Sequence, residues 1–418
     1  MNAPKRVVVT GLGAITPLGN SVQEYWTNLL NGVSGAGPIT RFDASKFKTR
    51  FACEVKNFDP LNYFDKKEAR KVDTYTHYGM AAAVQAITDS GIAGEGINKD
   101  AVGVIWGSGI GGLDTFQQET FAFAKGDGTP RFNPFFIPKM IADICSGHIS
   151  IRYGFRGPNF TTVSACASST HAMIDAFNYI RWGKAIAIVT GGSEAAINES
   201  GIGGFNAAQA LSTNNENYLT ASRPYDKDRD GFVLGEGAGA IVLEELEHAL
   251  KRGAKIYAEI VGGGMSADAY HITAPHPEGL GAKLVMQRAL EDAGLKVTEV
   301  DYINTHGTST PLGDIAELKA IVSLFGEHSY KLNISSTKSM TGHLLGAAGA
   351  IEAIATILAV VNDAIPPTIN HFTDDPEIDP KLNLTFNKMQ KRVVNVAMSN
   401  TFGFGGHNAA IVVKKFQS

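Results

Sequence analysis

The sequence predicts an α/β protein with mostly parallel sheets that helices cover on both faces. Apolar runs typical of buried strands, at residues 6–10, 101–106 and 185–190, alternate with segments of helical periodicity such as 22–30 and 78–90. Many of the 46 glycines lie in short clusters after these runs, as tight strand-to-helix turns require. Ligands of such sheets bind outside the carboxyl ends of the strands, so candidate site residues are expected there.

The chain divides into two halves that look alike in outline. Strand 240–243 and helix 244–252 close the first half, and strand 257–262 opens the second. Each half begins with a strand that has a glycine-rich end and continues into helices. No clear sequence repeat is visible, so duplication is a hypothesis that rests on the outline alone.

Composition narrows the range of functions. The 418 residues are enough to form the hydrophobic cores of two or three domains, and no stretch resembles a disordered linker. Lys and Arg number 37 and Asp and Glu 41, and the formal charge of −4 without a long basic run argues against nucleic acid or a membrane surface as the main partner. Three cysteines without a CxxC pair predict neither a disulfide framework nor a zinc site.

The chain shows no targeting or membrane-spanning segment. The start, MNAPKRVVVTGLG, enters a strand directly, without the apolar core of a signal peptide. The longest apolar helix, near the C-terminus, is interrupted by Glu352 and Asn362. We therefore expect a soluble cytoplasmic protein.

Two loops imitate ligand-binding motifs without completing them. GSGIGG at 107–112 fits GxGxxG, but Phe132 stands about where a dinucleotide site needs an acid. DKDRDG at 226–231 imitates an EF-hand loop, but Gly237 occupies the twelfth position, where that loop needs glutamate. Neither dinucleotide nor calcium binding is expected.

Two further stretches are expected near the surface or an interface. The charged and aromatic stretch 41–73 is predicted to lie on the surface. The stretch 115–140 is irregular and is expected to pack on a partner subunit or line an apolar tunnel, with ordinary core as the alternative. It contains three prolines and six phenylalanines, Phe116, Phe121, Phe123, Phe132, Phe135 and Phe136.

Cys166 is the candidate nucleophile. It lies in TTVSACASST, among small residues and just before a segment with apolar residues at helical spacing. The partial positive charge of a helix N-terminus favours the thiolate, which is the reactive form. The alternative is a structural role, because free cysteine is often a small buried hydrophobe.

Three more segments place polar or glycine-rich loops after predicted strands. Strand 300–304 leads to Thr305, His306 and Thr308, strand 332–335 leads to Lys338 and His343, and strand 393–398 leads to the glycine-rich loop around Phe404. A lone histidine is more often structural than catalytic. Two histidines and a lysine at strand ends together with a helix-start cysteine indicate one site.

Metal and hydrolase chemistry are both disfavoured. His306, Asp314, Glu317 and His343 offer metal ligands, but they lack the compact spacing of HExxH, and Lys338 would repel a divalent ion. The two acids are interpreted as partners of Lys338. No GxSxG motif for a serine hydrolase occurs.

Six motifs resemble those of the β-ketoacyl-acyl-carrier-protein synthases, in the same order and across essentially the whole chain. They are VVVTGLGAITPLG, VSACASST, SRPYDKDRDGFVLGEGAG, NTHGTSTPLGD, SSTKSMTGHLLGAAG and SNTFGFGGHN. The resemblance implies the thiolase fold, with two similar halves, residues 1–255 and 256–418, in a five-layered αβαβα body. It also implies a homodimer and an acyl carrier protein as partner.

The resemblance assigns roles to individual residues. Cys166 resembles the acyl-accepting nucleophile, and His306 and His343 resemble the pair that acts in decarboxylation. Lys338 resembles the lysine that supports the site through an acid, here Glu352, and Phe404 resembles the gating phenylalanine. The remaining assignments are supporting acids at Asp314 and Glu317, substrate contacts at Ile110, Phe205, Thr305 and Thr308, and carrier docking at Lys67, Arg70 and Lys71.

The activity implied is decarboxylative condensation of a malonyl-carrier with an acyl group held on Cys166, which lengthens a fatty acid by two carbons. No metal or redox cofactor is expected, and phosphopantetheine arrives on the carrier. A polyketide ketosynthase is the alternative within the family; a silent length-determining partner would lack Cys166, and a carrier-binding module would not need the catalytic set. His407, where many members have threonine, and Gln209, where some have a carrier-docking arginine, depart from the pattern.

Overall fold

The computed structural model describes residues 4–417. Its helices are α1 Val22–Leu30, α2 Lys66–Ala69, α3 Thr74–Ser90, α4 Leu113–Ala124, α5 Phe136–Met140, α6 Ile144–Tyr153, α7 Ser168–Arg181, α8 Glu199–Ala207, α9 Leu246–Lys251, α10 Leu280–Ala293, α11 Pro311–Phe325, α12 Lys338–Thr341 and α13 Ala348–Asn362. Its strands are β1 Val7–Ile15, β2 Gly37–Pro38, β3 Phe51–Ala52, β4 Val102–Gly107, β5 Asn159–Thr162, β6 Ala187–Glu194, β7 Gly237–Glu245, β8 Ala258–Ala267, β9 Tyr302–Asn304, β10 Asn333–Ser335, β11 Ala364–Ile365, β12 Gln390–Lys391, β13 Val396–Gly403 and β14 His407–Lys414.

Ten strands form a single hydrogen-bonded sheet in the order β10-β9-β13-β14-β8-β1-β7-β6-β4-β5. The sheet is mixed, so the prediction of mostly parallel sheets is wrong. Only β4 with β5 and β6, and β9 with β10 and β13, pair in parallel, whereas β1, β7, β8 and β14 pair with their neighbours antiparallel. Apolar runs covered on both faces are typical of parallel strands, but helices cover these antiparallel strands as well.

Each side of the sheet has the same internal strand order. Read from its outer edge, the first set has the order β5-β4-β6-β7-β1, and the second set has the order β10-β9-β13-β14-β8. When the strands of each set are numbered along the chain, both orders are third, second, fourth, fifth, first. The two sets meet where β1 pairs with β8, at Val7–Val9 and Ala258–Ile260. The hypothesis of duplication, which had no support from a sequence repeat, therefore has a topological basis. The boundary between residues 255 and 256 stays a prediction.

Five layers follow from the way helices pack on this sheet. Helix α3 covers the outer face of the first set of strands, and α10 with α11 covers the outer face of the second. Helices α7 and α13 pack on each other between the two sets, and their apolar side chains form the largest core with the inner faces of both. This αβαβα arrangement is the predicted one.

The central helix α13 is the longest apolar segment. Residues Leu345–Asn362 are long and apolar enough to cross a membrane by length and composition, but 89% of the segment is buried inside the protein. Glu352 is fully buried within it. The segment is therefore accounted for as a helix of the protein core.

Glycines at the end of the first strand have a different role from the predicted one. Strand β1 does not end at Gly11 but continues through Gly13 to Ile15. A Cβ on these glycines would lie 2.2 Å from the Ala86 carbonyl oxygen and 2.0 Å from that of Ala82, both in α3. Glycine is required here because the helix and the strand pack closely, and not because the chain turns.

Of the two stretches expected near the surface or an interface, the first is partly buried and the second is largely exposed. In residues 41–73, Phe51 and Cys53 are buried, because they pack against Ala221 and Val233 from later in the same half. The phenylalanine-rich stretch forms α4 and α5. Large apolar side chains on these two helices and their connection are exposed in this chain, namely Phe116, Phe121, Phe123, Phe132, Phe135 and Ile137.

Candidate active site

Cys166 lies in a 3₁₀ turn between β5 and α7. The turn spans Ala165–Ala167, and α7 begins at Ser168, as the sequence predicts. Ala165 has a φ of 50°, a left-handed conformation that costs a non-glycine residue ~1–2 kcal/mol. The Ser168 hydroxyl donates to the Ala165 carbonyl at 2.7 Å and accepts from the Ser164 N–H at 2.9 Å. These bonds hold the strained turn in place.

Both predicted histidines meet Cys166 at the carboxyl ends of the strands. The Nε2 atom of His343 lies 3.0 Å from the Cys166 sulfur. The rings of His306 and His343 lie edge to face, with centroids 5.2 Å apart. All three side chains are buried. The first half thus supplies a thiol and the second half supplies two imidazoles that face it.

The thiol of Cys166 is not pre-ionised in the free protein, contrary to the expectation from its helix-start position. Burial raises its pKa to about 12, although Lys338 and a hydrogen bond from the Phe404 N–H act in the opposite direction. The helix dipole favours the thiolate, but the loss of hydration that accompanies burial disfavours it and has the larger effect on the pKa. A nearby acceptor for the thiol proton is therefore required, and His343 is in contact.

The two histidines are neutral at physiological pH. Burial lowers the pKa of His306 well below its ordinary value, with smaller effects from Lys338 and His343. Burial and then Lys338 lower the pKa of His343 in the same direction. A neutral imidazole can accept a proton at one nitrogen and donate a hydrogen bond from the other.

Lys338 is buried and pairs with Glu352. Its Nζ donates a hydrogen bond to the Glu352 carboxylate, and both side chains are almost completely inaccessible to solvent. Burial raises the pKa of Glu352, and the ammonium of Lys338 opposes that rise. The lysine therefore places a fixed positive charge behind the two imidazoles without contacting the thiol.

Asp314 and Glu317 are not bonded to Lys338, so that interpretation is wrong. Asp314 lies 3.3 Å from the Arg229 guanidinium and also accepts from the backbone N–H groups of Tyr225 and Ser309. Burial raises its pKa to about 6 against the effect of Arg229. Sequence proximity suggested the lysine as partner, but the loop 226–231, which imitates a calcium site, provides the cation instead.

Glu317 holds the loop that bears His306. Its carboxylate accepts from the N–H groups of His306 at 3.0 Å and Gly307 at 2.9 Å, and from the Asn400 amide at 3.3 Å. Burial raises its pKa to about 7, although these N–H groups favour the charged form. Glu317 therefore supports the site through the backbone of the His306 loop.

An apolar cavity of about 580 Å³ opens onto the thiol. Cys166, His306 and His343 line it, together with five other predicted residues, Ile110, Phe205, Thr308, Glu317 and Phe404. Ile110 and Phe404 are partly exposed within the chain, and the Phe205 ring packs edge-on against Phe232 at 5.4 Å. The cavity is large enough for an alkyl chain.

Thr305 does not reach this cavity, and its predicted substrate contact is wrong. It is fully buried, and its hydroxyl accepts from Tyr225 at 2.6 Å and donates to the Ser335 carbonyl at 3.1 Å. Thr308 lines the cavity, and its hydroxyl lies 3.0 Å from that of Thr310, which also lines it. Thr305 points away because it continues the alternation of β9, whereas the chain has left the strand at Thr308.

Backbone N–H groups converge on the sulfur from the other half. Strand β13 continues to Gly403, two residues into the loop predicted from sequence, and brings the Phe404 N–H to the Cys166 sulfur. A Cβ on Gly403 would lie 2.7 Å from the Ser164 carbonyl oxygen, so glycine permits this approach. An oxyanion formed at the sulfur could therefore contact the N–H groups of Cys166 and Phe404.

Glu194, at the end of β6, is a site residue that sequence reasoning missed. Its fully buried carboxylate accepts hydrogen bonds from the N–H groups of Gly109 and Gly346, at 2.8 Å and 3.0 Å. The sequence feature that could have indicated it is a single acid that follows a predicted buried strand and the glycine pair Gly191 and Gly192.

The predicted docking residues lie outside the cavity lining. Lys67 and Arg70 are exposed, whereas Lys71 pairs with Glu68 at 2.6 Å. Gln209 lines the cavity, and His407 is exposed at the start of β14. Carrier docking therefore stays a prediction.

A soft metal ion would find three donors here. Ligand atoms of Cys166, His306 and His343 all lie within 4.8 Å of one another, a set that differs from the four residues weighed in the sequence. The same geometry suits a nucleophile facing two hydrogen-bonding imidazoles. Lys338, whose charge acts on all three residues, opposes a divalent cation and favours an anion.

Comparison with known proteins places the chain in a family. The beta-ketoacyl synthase N-terminal domain matches residues 4–249, and the C-terminal domain of that family matches residues 257–372. Proteins named 3-oxoacyl-[acyl-carrier-protein] synthase 2 are 52% identical in Synechocystis, over 99% of both chains, and 49% identical in Staphylococcus aureus, over the whole of both.

Solved structures agree with this placement. A beta-ketoacyl synthase from Burkholderia phymatum superimposes with a TM-score of 0.91 at 33% identity, over 99% of this chain and all of that one. A ketosynthase described in complex with its type II PKS acyl-carrier protein gives 0.89 at 32%, with the same coverage. The chain belongs to the beta-ketoacyl synthase family, and the fold and family expected from its motifs are confirmed.

Proposed function

We propose that this protein elongates fatty acyl chains by decarboxylative condensation of malonyl-carrier with an acyl group held on Cys166. The observation that supports this most directly is the contact of 3.0 Å between the Cys166 sulfur and His343, at the end of an apolar cavity and beside a second neutral histidine. A stored acyl chain, a stabilised carbanion and an oxyanion site are the three requirements of the reaction, and the site has a candidate for each.

In the first step, Cys166 takes the acyl chain from its carrier. The sulfur attacks the thioester carbonyl, His343 accepts the thiol proton, and the N–H groups of Cys166 and Phe404 stabilise the oxyanion. The bond between the acyl carbon and the carrier sulfur breaks, and the proton passes from His343 to the departing thiolate. The alkyl chain enters the apolar cavity past Ile110, where water is excluded.

In the second step, a malonyl-carrier binds beside the acyl-enzyme. Its carbon–carboxylate bond breaks, carbon dioxide leaves, and the electron pair remains as an enolate whose oxygen accepts hydrogen bonds from His306 and His343. The enolate carbon attacks the acyl carbonyl, the bond to Cys166 breaks, and the cysteine thiolate recovers a proton. Lys338, held by Glu352, stabilises the negative charge that develops.

Partners and location follow from the same proposal. The substrate thioesters arrive on an acyl carrier protein, and no metal or redox cofactor is required because loss of carbon dioxide drives the condensation. The exposed phenylalanines of α4 and α5 suit burial in a homodimer. Lys67, Arg70 and Lys71 are the proposed docking residues for the acidic carrier, and the cytoplasm is the proposed compartment.

A polyketide ketosynthase is less well supported. The similar solved ketosynthase of a type II PKS is 32% identical, whereas the proteins named 3-oxoacyl-[acyl-carrier-protein] synthase 2 are 49–52% identical over nearly the full length. Saturated fatty acyl substrates are therefore the better first test.

The test is elongation with mass detection. Purified protein incubated with acyl-carrier and malonyl-carrier should give a β-ketoacyl-carrier two carbons longer than the primer. With acyl-carrier alone, one acyl group per chain should add to the protein, and Cys166→Ala should abolish the addition. The variants Cys53→Ala and Cys145→Ala are matched controls, because both cysteines are buried elsewhere and should not affect labelling. Labelling of Cys166→Ala would overturn the assignment.

A further inference from the structure

Glu194 is a buried carboxylate with no cation beside it. Its side chain is fully buried, and among residues 4–417 no lysine, arginine or histidine lies within ion-pair distance of it. Two other buried acids near the active-site loops differ, because Glu352 pairs with Lys338 and Asp314 with Arg229, whereas Glu317 is held by backbone N–H groups as Glu194 is. Burying a charge is costly unless hydrogen bonds replace its hydration, so the contacts of Glu194 need an explanation.

Those contacts are backbone N–H groups from both halves of the chain. In the loop after β4, Glu194 accepts from Gly109 at 2.8 Å, Ile110 at 3.2 Å and Gly111 at 3.3 Å, and from the Ser108 hydroxyl at 3.2 Å. From the second half it accepts from Gly346 at 3.0 Å. One carboxylate thus fixes the loop that bears Ile110 to the turn that follows His343.

The two loops that this carboxylate joins pack closely against each other. A Cβ on Gly109 would lie 2.9 Å from the Glu194 carboxylate, and one on Gly346 would lie 2.2 Å from the Gly109 nitrogen. The two glycine backbones therefore touch each other across the carboxylate. Ile110, by contrast, projects from the clamped loop into the acyl cavity and is partly exposed there.

We propose that Glu194 is a positioning residue that sets acyl-chain selection by holding Ile110 in the cavity. The inference rests on the proposed function, since it concerns which chains Cys166 accepts. If the carboxylate clamp is weakened, the loop can move and Ile110 can withdraw. Long chains then gain access relative to short ones, while the sulfur and the histidines keep their places.

The substitution Glu194→Gln is the sharpest probe. It keeps the volume of the side chain, but it removes the charge and points an amide N–H₂ group at the N–H groups of Gly109, Ile110 and Gly346, which have no other acceptor among the described contacts. A milder probe is Ser108→Ala, which removes one donor to the carboxylate and the hydroxyl that accepts from the Gly111 N–H at 3.1 Å. If Glu194→Gln does not fold, Ser108→Ala carries the test.

The experiment measures acylation of Cys166 by tetradecanoyl- and hexanoyl-carrier, using intact mass. We expect Glu194→Gln to raise the ratio of long-chain to short-chain rates by about fivefold to tenfold, and Ser108→Ala by less. In an Ile110→Gly background, the same two substitutions should leave the ratio unchanged. Such a loss of effect would show that Glu194 acts through Ile110, because the effect of a general destabilisation would not depend on the residue at position 110.

A matched control is Glu236→Gln, because Glu236 is also buried in the first half but bonds Arg41 and Tyr78, outside the cavity lining. It should lower stability without changing the ratio. An unchanged ratio in both Glu194→Gln and Ser108→Ala, or an equal change in the Ile110→Gly background, would overturn the inference. Absence of acylation in the wild type would instead overturn the proposed function.

Discussion

The two halves contain the same turn, and only one of the turns contains the proposed nucleophile. In the first half, Ala165–Ala167 forms a 3₁₀ turn that leads into α7; in the second half, Leu345–Ala347 forms one that leads into α13. Ala165 and Leu345, the first residues of the turns, have φ angles of 50° and 48°. The strain is therefore a property of the repeated scaffold.

The difference lies at the second residue of each turn and in what its N–H meets. This residue is Cys166 in the first half, where the N–H is available at the cavity, and Gly346 in the second, where the N–H is bonded to Glu194. The second half contributes His306, His343 and Lys338 instead. The strained turn thus occurs twice, once with the proposed nucleophile and once as a support for the loop after β4.

The largest expected effect tests this division of labour. His306→Ala and His343→Ala should each depress malonyl decarboxylation by about 10²–10³, because each removes a hydrogen-bond donor to the enolate oxygen. Self-acylation should also fall for His343→Ala, which removes the acceptor of the thiol proton, but it should fall much less for His306→Ala, since His306 does not contact the sulfur. The measurement is carbon dioxide release and acyl labelling in parallel. Equal losses in both half-reactions for His306→Ala would indicate a general structural role for that residue.

A second prediction compares the two turn positions. Gly346→Ala should destabilise the protein by about 1–3 kcal/mol, because its new Cβ would overlap the Gly109 backbone. Cys166→Ala should cost about 1 kcal/mol or less, since it only removes the sulfur atom. Denaturant unfolding of both variants measures the difference. Equal costs would show that the support turn is no more tightly packed than the reactive turn.

A third prediction concerns the loops after the second strand of each half. The loop after β4 presents Ile110, and the loop after β9 presents His306. The first loop should therefore govern which chain lengths are accepted, and the second loop should govern the chemical step. Ile110→Phe should disfavour long primers by about tenfold to hundredfold, because added bulk in a packed site costs ~1–3 kcal/mol. Acylation by the shortest primers should survive. Elongation in the wild-type ratio by a folded Ile110→Phe variant would remove Ile110 from the cavity wall.

The smallest effect is a pH dependence of stability that comes from the second half. The folded-state pKa values of His306 and His343 lie well below the ordinary value. Below about pH 6.5 the unfolded chain therefore binds more protons than the folded chain, and the free energy of unfolding decreases as the pH is lowered. From pH 7 to pH 6 each histidine should cost about 0.7 kcal/mol.

The measurement for this prediction is unfolding of the wild type and of the double variant His306→Gln with His343→Gln at both pH values. The variant should lose less stability than the wild type. The raised pKa values of Glu317 and Glu352 have the opposite sign but are common to both proteins. An identical pH response would mean that the histidines are not buried in the neutral form.

The sequence alone identified the family and the side chains that the structure brings together around Cys166. Cys166, His306, His343 and Lys338 are found by motif because each lies just after a strand, where local spacing decides which residue reaches the site. Glu352 was also assigned correctly as the neighbour of Lys338, although only through the family resemblance. The α/β class was predictable because strand and helix periodicities are local, whereas the αβαβα arrangement was expected only from the family resemblance.

Only the tertiary structure decided how these groups are paired and hydrated. Arg229, which is distant in sequence, takes Asp314 away from Lys338, and Tyr225 takes the Thr305 hydroxyl away from the cavity. Burial, which no local pattern measures, raises the pKa of Cys166 against the helix N-terminus. The role of Glu194 depends on N–H groups of two loops more than 200 residues apart in sequence, at Gly109 and Gly346, and only folding brings them to one carboxylate.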